Sequence, residues 1–185
     1  MELFEIINFD KAYRENRMNA AQWVLKNPDV FSELLVFAFK NDKEISHKAN
    51  WVLEFVCLEN IALLYPHLDF FFENLSSVKA DSSVRPLSHI CEILCLLYYK
   101  EKEPPLRDSF KEKHKELLVE CAFDWLITNQ KVACEVRAMT CLFYLGTEKD
   151  WIHPELKTII ESNIHHKSAA YKSRGKYVLN KINTY

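Results

Sequence analysis

Pro28-Asp-Val-Phe-Ser-Glu-Leu-Leu35 decides the fold, because its pattern returns twice: as Pro66-His-Leu-Asp-Phe-Phe-Phe72 and as Pro154-Glu-Leu-Lys-Thr-Ile-Ile160. Each stretch reads as an amphipathic helix with proline near its start, where the missing N–H costs nothing. About 20 residues after each proline a basic residue opens a second helix, namely Lys48, Arg85 and Arg174. Five residues after each base stands an aliphatic one: Leu53, Ile90 and Leu179. The first two units are spaced 37 to 38 residues apart. A fixed period of this length is the mark of stacked helical hairpins.

A further hairpin lacks the proline. His114-Lys-Glu-Leu-Leu-Val-Glu-Cys-Ala-Phe-Asp-Trp-Leu126 supplies its first helix, and Val136-Arg137-Ala138 opens its second, with Leu142 at the fifth position. Arg137 and Arg174 are again 37 apart, whereas Arg85 and Arg137 are separated by 52. The excess falls in Lys100-Glu-Lys-Glu-Pro-Pro-Leu-Arg-Asp-Ser109, charged and proline-bearing, which reads as an inserted surface loop over 100–109. Hairpins are therefore expected at 28–57, 60–99, 110–145 and 150–183. A leading helix over 10–26 precedes them, and its Asn19-Ala-Ala-Gln-Trp-Val-Leu25 echoes Ser46-His-Lys-Ala-Asn-Trp-Val-Leu53. An end element has only one neighbour, so it should look atypical.

Composition narrows the function classes. Two glycines, Gly146 and Gly175, are too few for the tight turns and phosphate-cradling loops that need positive φ. The formal charge of −2 gives no long-range pull toward nucleic acid or a membrane surface. No apolar run approaches the roughly 20 residues of a membrane span. Met1-Glu-Leu-Phe-Glu5 carries acids where a secretory signal carries bases. Cys57, Cys91, Cys95, Cys121, Cys134 and Cys141 lie in apolar helical stretches without a CxxC pair, as reduced, buried thiols would. A cytoplasmic chain is the expectation.

Val84-Arg85, Val136-Arg137-Ala138 and Asp42…Lys48-Ala49 resemble the second-helix signature of HEAT and armadillo repeats, where an aspartate at the turn precedes the Val-Arg. A proline in the first helix is also a habit of that family. The resemblance covers about residues 28–183. It implies an all-α, right-handed α–α superhelix of about four hairpins with an N-terminal capping helix. It also implies a concave surface lined by the second helices, and an aspartate–base ladder whose spacing only Asp42 and Lys48 show. The wording of Ser46-His-Lys-Ala-Asn-Trp-Val-Leu-Glu-Phe-Val-Cys57, Gln130-Lys-Val132 and Asp150-Trp-Ile-His-Pro-Glu-Leu-Lys157 is similar to small bacterial proteins that sometimes carry an adenylosuccinate lyase label. That enzyme resembles a much longer chain with a serine-rich, glycine-containing loop ending near Lys-x-Asn-Pro. No such loop precedes Asn27-Pro28.

The chemistry-bearing residues fall on helix faces. Cys91 and Cys95 are one turn apart with His89 nearby, which supplies part of a zinc set but lacks further ligands. His165-His166 reads as a turn before the last helix. No GxSxG or HExxH occurs. Glu112/Glu116 stand among Lys111, Lys113 and Lys115 as a salt-bridged face. No catalytic residue, metal or cofactor is assigned. Of the consecutive Phe70, Phe71 and Phe72, at least one must face between layers or toward solvent.

With each base as position zero, positions zero, +3 and +7 share one side of the second helix. That side reads Lys48, Trp51, Phe55; Arg85, Ser88, Glu92; Arg137, Thr140, Tyr144; and Arg174, Tyr177, Lys181. By the resemblance these residues line a concave groove that binds a protein partner, with Lys48, Trp51, Phe55, Arg85, Glu92, Arg137, Tyr144, Arg174 and Tyr177 as candidates. A second reading pairs the bases with carboxylates of adjacent repeats and packs the aromatics between hairpins. Nucleic-acid binding, as in HEAT-like DNA glycosylases, is the alternative function. Its motive is Lys167 to Lys181, with five bases and no acid. The overall charge stands against it, since phosphate contacts supply most non-specific affinity. A lyase-related activity or accessory-subunit role, which rests on the lyase label alone, comes last.

Overall fold

Proline places the helix starts where its ring does no harm. Pro28 opens a 3-10 turn (Pro28–Val30) and Pro66 lies in another (Ile61–His67), and these turns lead into α3 (Phe31–Phe39) and α5 (Leu68–Leu75). Pro154 sits in the first turn of α10 (Ile152–Asn163), where no intrahelical N–H is required. The remaining helices are α1 (Leu3–Ile7), α2 (Arg14–Lys26), α4 (Ser46–Glu59), α6 (Asp81–Cys95), α7 (Pro104–Ser109), α8 (Glu112–Ile127), α9 (Val132–Leu145) and α11 (Ala169–Ile182). This computed structural model describes residues 2–128 and 130–184, and among them the fold is all-α and strand-free. No single helix among the described residues is long and apolar enough to cross a membrane.

The helices form two rows. Helices α2, α4, α6, α9 and α11, which include the second helices of the hairpins, pack in succession as one row, labelled inner after the concave surface that the resemblance implies. Helices α3, α5 and α8 follow one another in a second row, labelled outer. α10 packs on α9 and α11, and its Trp151 stacks on Phe123 of α8 with ring centroids 5.6 Å apart. The core runs continuously between the rows; of the fifth-position residues, Leu53, Ile90 and Leu142 are fully buried in it and Leu179 packs against it partly buried. All six cysteines are buried and unpaired, and burial pushes the thiols of Cys57, Cys91, Cys121 and Cys134 up.

Two elements differ from the sequence reading. The segment expected as a solvated loop over 100–109 is largely helical. A π-helical turn (Leu96–Glu101) extends α6, and Pro104 and Pro105 then start α7 at its first positions. Leu106 and Phe110 are buried, and Tyr65 Oη donates to Glu103 at 2.7 Å, so apolar burial holds the insert against the neighbouring hairpin. The other addition is α1, anchored by Leu3 and Ile7 on one helical face.

Gly175 lets α11 approach α10 closely. A Cβ there would lie 2.9 Å from Ile160 Cγ2, and Ile160 is fully buried. Gly175→Leu is expected to destabilise the fold by about 1–3 kcal/mol through overpacking. That exceeds the roughly 1 kcal/mol of helix preference gained by losing glycine. A lowered urea midpoint with an unchanged helical spectrum checks this.

His114 anchors the start of α8. Its Nδ1 accepts the Lys111 N–H at 3.1 Å, so Nε2 carries the proton and donates to Asp69, 2.5 Å away. The ring also stacks on Phe72. Burial holds its pKa below the ordinary 6.5, in spite of Asp69. A depressed imidazole pKa contributes stability above the unfolded value and loses it as pH falls through the folded one. The urea midpoint is therefore expected to fall as pH drops below about 6.5. His114→Gln should flatten that part of the profile.

Candidate functional site

The inner row carries an ion-pair ladder. Glu54 projects from α4 into a largely buried position, with its carboxylate 2.8 Å from His89 Nδ1 and 3.3 Å from Arg85 Nη2, both on α6. A carboxylate only accepts, so His89 Nδ1 carries the proton. Arg137, from α9, lies 3.9 Å from Glu54 and 3.8 Å from Glu92 of α6. Arg174, from α11, reaches Glu92 at 3.2 Å and also donates to Thr140 Oγ1. Four consecutive inner helices are thus tied by three guanidiniums that share two carboxylates.

Burial alone would push the Glu54 carboxyl up. The His89 hydrogen bond and the charges of Arg85, His89 and Arg137 outweigh it and hold the group below its ordinary value. Arg137 fares differently, since burial lowers its pKa more than the two carboxylates restore. A guanidinium stays protonated across the physiological range, so Arg137 adds no pH dependence to the ladder.

Trp51 is held by a neighbouring irregularity. Pro86 lacks the N–H that would bond Ser82 O within α6, and Trp51 Nε1 donates to that carbonyl at 3.0 Å. Arg17 of α2 lies over the Trp51 ring at 5.2 Å, and Arg14 over Phe55 at 5.5 Å, in cation–π geometry. Lys48 turns to the N-terminal segment, donating to Asn8 Oδ1 at 2.9 Å. Asp42 does not pair with Lys48. Its carboxylate accepts the N–H groups of Glu44 and Ile45, at 2.9 and 3.1 Å, as a local cap.

At the other end of the row a groove of about 610 Å³ opens between α6, α9 and α11. Glu92, Lys100, Tyr144, Arg174 and Tyr177 are among its lining. Tyr144 stacks on Tyr99 at 5.8 Å, while Tyr177 is 56% exposed with Lys181 beside its ring. Of the nine expected residues, Arg85, Glu92, Arg137 and Arg174 therefore meet in the ladder. Trp51 and Phe55 sit under the arginines of α2, and Tyr144 and Tyr177 flank the groove. Glu54 was missed, and His89, which the sequence offered only as part of a zinc set, pairs with it. The signal for Glu54 was an acid inside the apolar run Trp51-Val-Leu-Glu-Phe-Val56.

His89 faces Glu54 while Cys91 and Cys95 face the core, so these three side chains do not converge. Among the described residues no group of three His, Cys, Asp or Glu side chains is placed to hold a metal ion. No family model, curated protein or solved structure matches the chain.

Proposed function

We propose that the chain is a HEAT/armadillo-like right-handed α–α superhelix that acts as a non-catalytic binding or scaffolding module. Its inner row is the concave surface, and a protein partner is the ligand. The observation that carries this reading is a row of five successive helices with a cation–aromatic cluster at each end, Arg14, Arg17, Trp51 and Phe55 at one and Tyr177 and Lys181 beside an open groove at the other. Stacked hairpins present long surfaces of this kind, and partners engage them through a few aromatic and arginine anchors.

The test is capture of partners by the tagged protein, with and without nuclease. It compares wild type with Arg14→Glu/Tyr177→Ala/Lys181→Glu, three exposed positions outside the ladder. The reading expects a nuclease-resistant protein partner that the triple variant loses. Recovery lost on nuclease treatment favours nucleic acid instead. A partner retained by the variant places the binding surface elsewhere.

A further inference from the structure

Charge is divided between the two rows. The inner helices α2, α4, α6, α9 and α11 carry ten bases and six acids, whereas α3, α5, α8 and α10 carry three bases and nine acids. A chain of formal charge −2 thus shows a positive inner row and a negative outer one. Among the six inner acids, Glu54 and Glu92 lie under arginines, Glu135 is buried against Lys167, and Asp81 is 3.8 Å from Lys131.

The ladder nearly neutralises the middle of the row and leaves two cation–aromatic clusters at its ends. One comprises Arg14, Arg17, Trp51 and Phe55, and the other Lys100, Tyr177 and Lys181, beside Arg174 at the end of the ladder. Arg14, Arg17 and Lys181 form no ion pair among the described residues. From α4 to α11 there are three helix spacings, or about 30 Å at the usual interaxial distance. An extended chain of about nine residues spans that gap.

We infer that the inner row takes an acidic peptide segment with two anchor points, each an aromatic or aliphatic side chain flanked by carboxylates. The carboxylates would meet the end clusters, and the linking residues would cross the neutralised ladder. This rests on the inner row being the binding surface. A nucleic-acid strand fits less well, because it presents a phosphate at every step. Over the ladder each phosphate would compete with a carboxylate already 3.2–3.9 Å from its arginine.

The test uses fluorescein-labelled synthetic peptides and anisotropy with the full chain. The probe carries an Asp-Phe-Glu block at each end of a twelve-residue Gly/Ser spacer, which is long enough to reach both clusters. The expected result is binding about tenfold tighter than a single-block peptide, since the second block engages intramolecularly. Affinity should weaken with added salt. Arg14→Glu and Lys181→Glu, both exposed, should each reduce it by about tenfold.

Equal binding of a Lys-Phe-Lys peptide, no advantage of two blocks over one, or tighter binding of a single-stranded DNA of matching length would each overturn the inference. Failure of the surface reading itself is separable. A photo-crosslinker at Tyr177 that captures a neutral or basic segment refutes only the acidic partner. Capture by the outer row alone refutes both.

Discussion

Glu54→Ala is expected to lower the unfolding free energy by about 3–5 kcal/mol, the usual cost of removing one partner from a buried charge cluster. The carboxylate is the common acceptor for Arg85, His89 and Arg137, and it is only 7% exposed. Its loss leaves Arg137, 15% exposed, with Glu92 as its remaining counter-charge and Arg85 beside it. Arg85 can turn toward water, because it is about one-third exposed, but Arg137 cannot do so without opening the α6–α9 contact. Glu54→Leu combined with Arg137→Met should recover much of the loss, because a buried pair is often replaceable by well-packed apolar groups. A double-mutant cycle in urea isolates the coupling. The pH dependence has a defined sign. The folded pKa of Glu54 is depressed, so its contribution is present above the ordinary carboxyl value and is lost as pH falls through the folded one.

Phe72→Ala is the second large effect, also about 3–5 kcal/mol, from lost burial plus the cavity left behind. Phe72 is fully buried and contacts Phe71 at 5.1 Å, Phe110 at 5.4 Å and His114 at 5.4 Å, measured between ring centroids. It therefore joins α5 to α8 and to the end of the insert, and its removal loosens three elements at once. Phe70, two positions away, is 38% exposed and packs edge-on against Phe39. Phe70→Ala should cost about 1 kcal/mol or less. Comparing the two urea midpoints checks the assignment. Equal losses would mean that the helix is rotated from the position described.

The all-α class was legible because helices write their burial into local spacing. The base and aliphatic recurrence found Leu53, Ile90, Leu142 and Leu179; the first three are fully buried, while Leu179, in the last helix, is only partly so. The mixed orientation of Phe70–Phe72 followed from the same geometry. Local spacing says less about which charges meet. Asp42 had the separation expected for a ladder with Lys48, but backbone N–H groups two and three residues on are its nearer partners. Glu54 stood unnoticed in an apolar run because its burial depends on arginines from two other helices, which no local pattern records. The insert was misread for a related reason. Pro-Pro marks a loop or the first helical turn equally well, and Leu106 and Phe110, four residues apart, were the signal that would have separated them.

Site-specific photo-crosslinking tests the central claim most directly. Benzoylphenylalanine replaces Tyr177 on the inner row or, as the reference, Glu116 on the exposed outer row. Each variant is irradiated in the native lysate. A discrete protein adduct that is resistant to nuclease is expected at Tyr177, and none at Glu116. An adduct at Glu116 with none at Tyr177 would contradict that, and would put the working surface of this chain on its acidic outer helices.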